Sequence, residues 1–398
     1  MENGRFERTF TLAPGITPSI VARIPSGTMH IHGEERSDVA VTVTVHPADA
    51  IGRDLEIILE EQGETIHAEV RGPGRGDSLF GWLRSGINGV RIAMEIHTPV
   101  RSNVEAEAAS ADIDVGALEG VIRVRTASGD IRADRLSPTV TIQSASGDIT
   151  THTLNGSVRV QSASGDVGIK RAEGDIGVQS ASGDVSLDQI SGTLDVSTAS
   201  GDCQVRSSAL NSCRAKTASG DLSLMTPLAP NGEYEFGTVS GDLLLQVPQE
   251  TRMTVSMKTV SGDLSCALPA TTTEGGKRNR TLAVNGGGVP VQVKSVSGDC
   301  TIRAANSNLP PLPATAPMRA PSAPPAPPRP PAPPAMPPMP PMPGASSAIQ
   351  DAMPTGDFTE TLAVLQAVER GELTIDEAME KLATLEDGPQ TSPALSQD

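Results

Sequence analysis

Thr126-Ala-Ser-Gly-Asp-Ile131, Ser144-Ala-Ser-Gly-Asp-Ile149, Ser162-Ala-Ser-Gly-Asp-Val167 and Ser180-Ala-Ser-Gly-Asp-Val185 are copies of one hexapeptide, each 18 residues after the last. Five further copies follow, with their aspartates at Asp202, Asp221, Asp242, Asp263 and Asp299. The hydroxyl four residues before each Asp never lapses: it is Thr or Ser from Thr126 to Ser295. The next residue is Ala from Ala127 to Ala218, then Val239, Val260 and Val296. A degenerate copy, Ser110-Ala-Asp112, precedes the series by one more interval of 18. The intervals widen to 19, 21, 21 and finally 36; the last is expected to hold two turns of chain, with Gly286-Gly-Gly288 as an insertion.

Apolar and polar residues alternate after each Asp, as in Val167-Gly-Ile169 and Val185-Ser-Leu187. That is the period of a half-buried strand. A second alternating stretch lies half a repeat later, with Ile122/Val124, Val140/Ile142, Val158/Val160, Ile176/Val178, Leu194/Val196 and Cys213/Ala215 pointing one way. Lesser corners such as Gly174-Asp175 and Gly192-Thr193 precede it. One such turn cannot bury its own apolar row, but stacked parallel turns can. The expected fold is all-β: a parallel β-solenoid over 106–304, of about ten 18–21-residue turns and roughly 50 Å long at one strand spacing per turn. No aromatic residue occurs between Leu83 and Glu233, which suits a narrow aliphatic core. Glycine permits a left-handed corner, Asp can accept backbone amides there, and the hydroxyl row is expected to form a ladder from turn to turn.

Outside the repeat the chain changes character. Residues 1–105 are strand-rich without a period (Val39–Val45, Leu55–Leu59, Val90–Ile96), and an irregular β-cap over the first turn is expected. Within them, 72–89 is Gly-rich and carries Leu79, Phe80, Trp82 and Leu83, read as a loop folded over the cap or as an apolar contact finger. Residues 305–356 include Pro324-Pro-Ala-Pro-Pro-Arg-Pro-Pro331, the composition of an extended, disordered Pro-rich linker. Over 357–386 the pattern is helical: Leu362, Leu365 and Val368 share one face, Gly371 can end that helix, and Thr374-Ile-Asp-Glu377 is a capping box opening a second with Ala378, Leu382 and Leu385 inward. A disordered tail is expected over 387–398.

The [Ser/Thr]-[Ala/Val]-Ser-Gly-Asp-[apolar] repeats, with Ser37-Asp-Val-Ala-Val-Thr-Val43 ahead of them, resemble the bacterial β-strand-repeat family of putative adhesins, a domain of unknown function. The segment Val364–Leu382 is similar to the SHOCT-like helical hairpin that accompanies this family. The resemblance implies a β-strand-repeat domain with no assigned catalytic residues, and a hairpin linked to oligomerisation and envelope-stress proteins.

Composition narrows the functional classes. Lys+Arg number 31 against 48 Asp+Glu, a net charge of −17, which disfavours nucleic acid and anionic membranes as partners. Aromatics are 2% of the chain, too few for stacking platforms. No apolar run long enough for a membrane helix and no signal peptide after Met1 are visible, so a cytoplasmic location is expected, with surface association as the alternative.

Individual residues read mostly as structure. The Asp130–Asp202 column is a set of corner residues first and a divalent-cation ladder second. His30 and His32 share a strand face without an evident third ligand, and His152 is the sole histidine of the repeats. Glu34-Glu35 and Glu60-Glu61 read as solvated charge, and Arg75-Gly-Asp77 as a chance tripeptide. Cys203, Cys213, Cys266 and Cys300 all fall on inward slots as small hydrophobes, without metal-ligand spacing. No catalytic, cofactor-binding or metal residue and no cofactor is assigned. The expectation is a non-enzymatic scaffold that presents binding surfaces, with a protein partner or a second copy engaged through the C-terminal hairpin. A bactofilin-like polymer is the alternative, and a solenoid carbohydrate-active enzyme a more distant one.

Overall fold

A computed structural model describes residues 4–47, 50–51, 55–72, 90–276 and 278–305. The expectations for the 73–89 loop, including Arg75-Gly-Asp77, and for the linker, hairpin and tail beyond 305 lie outside the described residues.

The repeats are the rungs of a parallel stack. Strand Ile131–Ser146 pairs with Ile149–Ser164, which pairs with Val167–Ser182, then Val185–Ser200 and Cys203–Ser219, each in parallel. Through the four rungs from Ile131 to Ser200 the match is residue to residue at an offset of 18, so Val140, Val158, Ile176 and Leu194 stack on one another. Each rung turns inward the two apolar stretches foreseen from the sequence. It also buries one residue at the bend between them, Leu136, Leu154, Ala172 or Ile190 in successive rungs. The core is thus a column of aliphatic side chains. Of its aromatic members, Phe10 lies in the N-terminal strands, and Tyr234 and Phe236 enter where the repeat lengthens. There the Tyr234 hydroxyl donates to the Leu210 carbonyl (2.6 Å) and accepts from the Ala229 amide (2.8 Å), pinning the longer turn.

Two contacts fix each Ser-Gly-Asp corner. Gly165 has φ +114°, and a Cβ there would fall inside the carbonyl of Gly147 on the rung before. The adjacent Asp accepts, through Oδ1, the backbone N–H of the Asp on the next rung. Nine such bonds, each 2.8–3.1 Å, run without a break from Asp112 to the last corner. The hydroxyl row does not form the expected ladder between turns. It lies buried, and Thr126, Ser162, Ser180 and Thr198 each donate to the carbonyl two residues ahead in their own corner.

Both ends depart from chain order. The bond series reaches Asp242, passes to Asp299 and finishes at Asp263. Strands Val289–Ser297 and Cys300–Ala304 therefore sit between the Asp242 rung and the Asp263 rung. The 36-residue interval holds an antiparallel pair, Ala270–Gly275 with Asn279–Val284, rather than two turns; the second of these lies antiparallel on Met253–Lys258. The N-terminal end mirrors this. Strand Ser19–Glu34 is a full rung, parallel to Asn103–Ser128 over Ser19–His32. Its outer side carries Thr65–Arg71 and Arg91–Pro99, also parallel. Only beyond these are the strands antiparallel: Glu56–Gln62, Asp38–His46 and Gly4–Thr11. The boundary expected at 105/106 thus falls inside one continuous strand, and part of the expected cap is in-register solenoid. The signal was Ser26-Gly27-Thr28, whose glycine has φ +112° and whose three residues pair with Ser110-Ala-Asp112. It lacks the Asp and stands outside the 18-residue period.

Gly165→Val should cost about 3 kcal/mol or more, since it combines a left-handed β-branched residue with a backbone clash. Ser164→Ala, at an exposed hydroxyl beside it, should cost under about 0.5 kcal/mol. Equal shifts in denaturation midpoint for the two would contradict the corner geometry.

Candidate functional site: the outer faces of the stack

Residues between the inward positions form outward columns, one side chain per rung. One column begins Glu69, Arg23, Glu107, Arg125 and continues as Gln143, Gln161 and Gln179. Its first part is an ionic zipper. Arg23 Nε donates to Glu107 Oε2 (2.6 Å), and its Nη1 lies 3.3 Å from Glu69 Oε1. Arg71 donates twice to Glu69 Oε2 (2.6 and 2.9 Å), and His67 Nδ1 lies 3.4 Å from Oε1. Both carboxylates are only 3% exposed although they point away from the core. Burial alone would raise the Glu69 carboxyl; hydrogen bonding and charge from Arg71, with Arg23 and His67, outweigh it and hold the group below its ordinary value. Farther along, the glutamines bond amide to carbonyl from rung to rung, Gln143 to Gln161 (2.7 Å) and Gln161 to Gln179 (3.1 Å).

The neighbouring column carries Arg123, Thr141 and Arg159 on successive rungs. Toward the C-terminal end the same face has a carboxylate hub. Glu235 accepts from Lys294 (2.7 Å) and from Arg214 (3.3 Å), with Lys216 at 3.9 Å. The Lys294 bond chiefly, against a smaller burial effect, keeps the Glu235 carboxyl low.

The remaining sequence candidates fall in separate places. The Asp column has one oxygen of each of nine carboxylates committed to an amide. Its last member, Asp263, lies 2.9 Å from Arg280, which closes the series. His30 is 4.0 Å from Asp114, and His97, which pairs with His32 across the sheet, donates from Nδ1 to the Glu34 carboxylate (2.7 Å). That bond first, with nearby positive charge, lowers the Glu34 carboxyl, while Glu35, Glu60 and Glu61 are exposed. His152 is exposed beside Lys170 (3.1 Å). No group of three or more His, Cys, Asp or Glu set to hold a metal occurs among the described residues. Cys203, Cys213 and Cys300 are buried as expected; Cys266 is only partly so, because its strand, Leu264–Cys266, is in the terminal rung and has a neighbour on one side alone. Burial pushes the thiols of Cys203 and Cys300 up to about 12. The Ala-to-Val change in the corner hexapeptide leaves Val239, Val296 and Val260 exposed in consecutive rungs.

The family model described as Toastrack DUF4097 matches residues 83–175 and 139–303, together more than half of the chain. The chain belongs to this Toastrack family. The parallel stack is the repeat domain that its resemblance to β-strand-repeat adhesins implied. No curated protein matches this Toastrack chain. Among solved structures it is similar to a putative cell adhesion protein from Clostridium sporogenes, at 13% identity, covering 76% of this chain and 100% of that one with a TM-score of 0.19. It is also similar to a putative lipid binding protein from Parabacteroides distasonis (10% identity, 76% and 97% covered, TM-score 0.32). A putative adhesin from Parabacteroides merdae is similar too (10%, 75% and 96%, TM-score 0.30). No helix among the described residues is long and apolar enough to cross a membrane.

Two measurements check this geometry. Thiol reagents should label Cys266 first in the native protein and the other three only on unfolding; fast labelling of Cys203 would break the register. Glu69→Gln should destabilise the protein by about 2 kcal/mol at neutral pH, as expected for charged hydrogen bonds. Glu69 has a lower pKa folded than unfolded. Its contribution is therefore complete above the unfolded carboxylate range and disappears as pH falls through the folded value, so the gap between variant and wild type should close on acidification. A gap independent of pH would show that the carboxylate charge is not what Glu69 contributes.

Proposed function

We propose that this chain is a non-enzymatic scaffold whose rigid β-stack presents lateral faces for binding, in the manner of an adhesin-like surface. The observation that carries the reading is that antiparallel strands cover most of both ends. A polymer built by end-to-end addition needs an open parallel rung at each terminus. Here the outer strands are antiparallel and rich in polar and charged residues, Gly4–Thr11 and Glu56–Gln62 at one end and Ala270–Gly275 at the other, and the parallel edge left open beside the last is the three-residue strand Leu264–Cys266. Such strands discourage edge pairing. That favours a rod of fixed length over the bactofilin-like polymer. The repeat carboxylates, all but the terminal Asp263 bonded to an amide, are occupied in holding corners, which supports a structural reading of them over a glycoside-cleaving one.

The sequence expectation for 357–386 completes the proposal: a hairpin on a proline spacer that recruits a second copy or a protein partner, acting in the cytoplasm or at the envelope. Mass photometry and negative-stain imaging should show short particles of discrete mass, and filaments growing with concentration would overturn the scaffold reading. Leu365→Asp with Leu382→Asp should abolish self-association or partner capture while leaving the melting midpoint of the β-stack unchanged. A lowered midpoint would instead make the hairpin a part of the stack.

A further inference from the structure

Three arginines meet on one outer face around a short side chain. Arg123, Thr141 and Arg159 hold the same outward slot on successive rungs, and Arg125 lies two residues along from Arg123. With rungs about 4.8 Å apart, the backbones of Arg123 and Arg159 are about 10 Å apart, and Thr141 is too short to fill the space between their side chains. The result is an open recess of about 350 Å³ lined by Arg123, Arg125 and Arg159 together with Thr139, Thr141 and Ser157.

The electrostatics set this place apart from the rest of the face. Toward the N-terminal end every arginine of the column alternates with a carboxylate, and toward the C-terminal end Glu235 serves Arg214, Lys216 and Lys294. In the cleft the alternation stops. Gln143 follows Arg125, and Thr141 follows Arg123. Arg123 and Arg159 have no ion pair or hydrogen bond among the described residues. Arg125 touches only Glu107, at 3.7 Å, and its Nε is buried with no hydrogen-bond partner. A chain with a net charge of −17 thus keeps three guanidiniums together in one recess, of which only Arg125 has a carboxylate, Glu107 at 3.7 Å; Glu105, 18 residues before Arg123, pairs with Arg23 instead.

We propose that the Arg123–Arg125–Arg159 cleft binds an oxyanion of the phosphate type. A carboxylate has two oxygens and one plane, and a single arginine fork saturates most of it. Three guanidiniums on two rungs plus hydroxyls supply more donors, in more directions, than one carboxylate can accept. A tetrahedral dianion uses them, and arginine is suited to it by its bidentate geometry. The phosphate is either a free phosphate or phosphate ester, or the headgroup of an anionic phospholipid. The overall negative charge repels an anionic surface at long range, so binding to either source must come from the cleft. The inference stands on these side chains alone and does not require the scaffold reading.

The test is calorimetric titration of the full chain with inorganic phosphate against chloride at matched ionic strength, beside sedimentation with phosphatidylglycerol–phosphatidylcholine vesicles. Arg123→Gln with Arg159→Gln should weaken phosphate binding about ten-fold or more, as loss of two charged donors predicts, with an unchanged melting midpoint in chloride. Thr141→Met fills the recess at constant charge and should also abolish binding. If diffuse charge alone were responsible, Thr141→Met would bind as wild type does, and that result overturns the site. So does wild-type protein that binds neither inorganic phosphate nor the vesicles. Vesicle binding lost in both variants identifies a lipid headgroup as the source; phosphate binding without vesicle binding identifies the free ion or ester.

Discussion

Each Ser-Gly-Asp rung turns at a glycine whose missing side chain lets the carbonyl of the rung below pass through the space a Cβ would occupy. The Asp beside it then grips the next rung by its amide. These two contacts are repeated along the Ser-Gly-Asp series, and everything else is arranged around them. They align rungs residue for residue, which is why valine stacks on valine in the core and glutamine on glutamine outside. A column in register is also what makes its outer face addressable: one substitution in a repeat changes one position on a regular grid. Carboxylates a strand spacing apart repel unless something offsets the charge. Here each of nine is bonded to a backbone N–H, and the terminal one is met by Arg280.

The repeat domain was open to reading in advance because its period, its alternation and its glycines all report the same local geometry. The inward positions from Ile122 to Ala215 were readable for that reason. The order of the end rungs was not. Nothing in Thr259-Val-Ser-Gly-Asp263 distinguishes a rung that stacks on Thr238-Val-Ser-Gly-Asp242 from one that stacks on Ser295-Val-Ser-Gly-Asp299, since each presents the same apolar row to any neighbour. Chain order is the natural guess, and it fails where the 270–284 pair turns back. Ser19–Glu34 was missed for the related reason that its corner lacks the Asp and lies far from the period. The hydroxyl row was placed on the correct strand but given the wrong partners. Five of the nine corner hydroxyls reach a carbonyl of their own corner, and those of Ser144, Thr217, Thr238 and Thr259 are buried without a partner among the described residues.

The outer face was half legible. An interval of 36 between Arg123 and Arg159 already puts them two rungs apart on one column, with Thr141 between. What the period could not show is which charges are neutralised. Glu69 and Arg23 come from segments that the period does not cover, and Glu235 meets Lys294 only because the last rung is inserted out of order. Pairing across the face follows from the spatial sequence of rungs, so the contrast between the satisfied arginines and the unpaired Arg123 and Arg159 needed the folded chain.

The swapped end rungs have a mechanical meaning. The chain leaves the stack at Ala304, the end of a strand held between two others: one ladder joins it to Leu243–Val247 and a second to Leu264–Cys266. Tension drawn through the residues beyond 305 therefore does not lift off an outermost strand one bond at a time. It pulls an interior strand lengthwise against ladders on both sides, so that many hydrogen bonds must break together. Anything tethered through the proline-rich segment is fastened to the rod in shear rather than in peel.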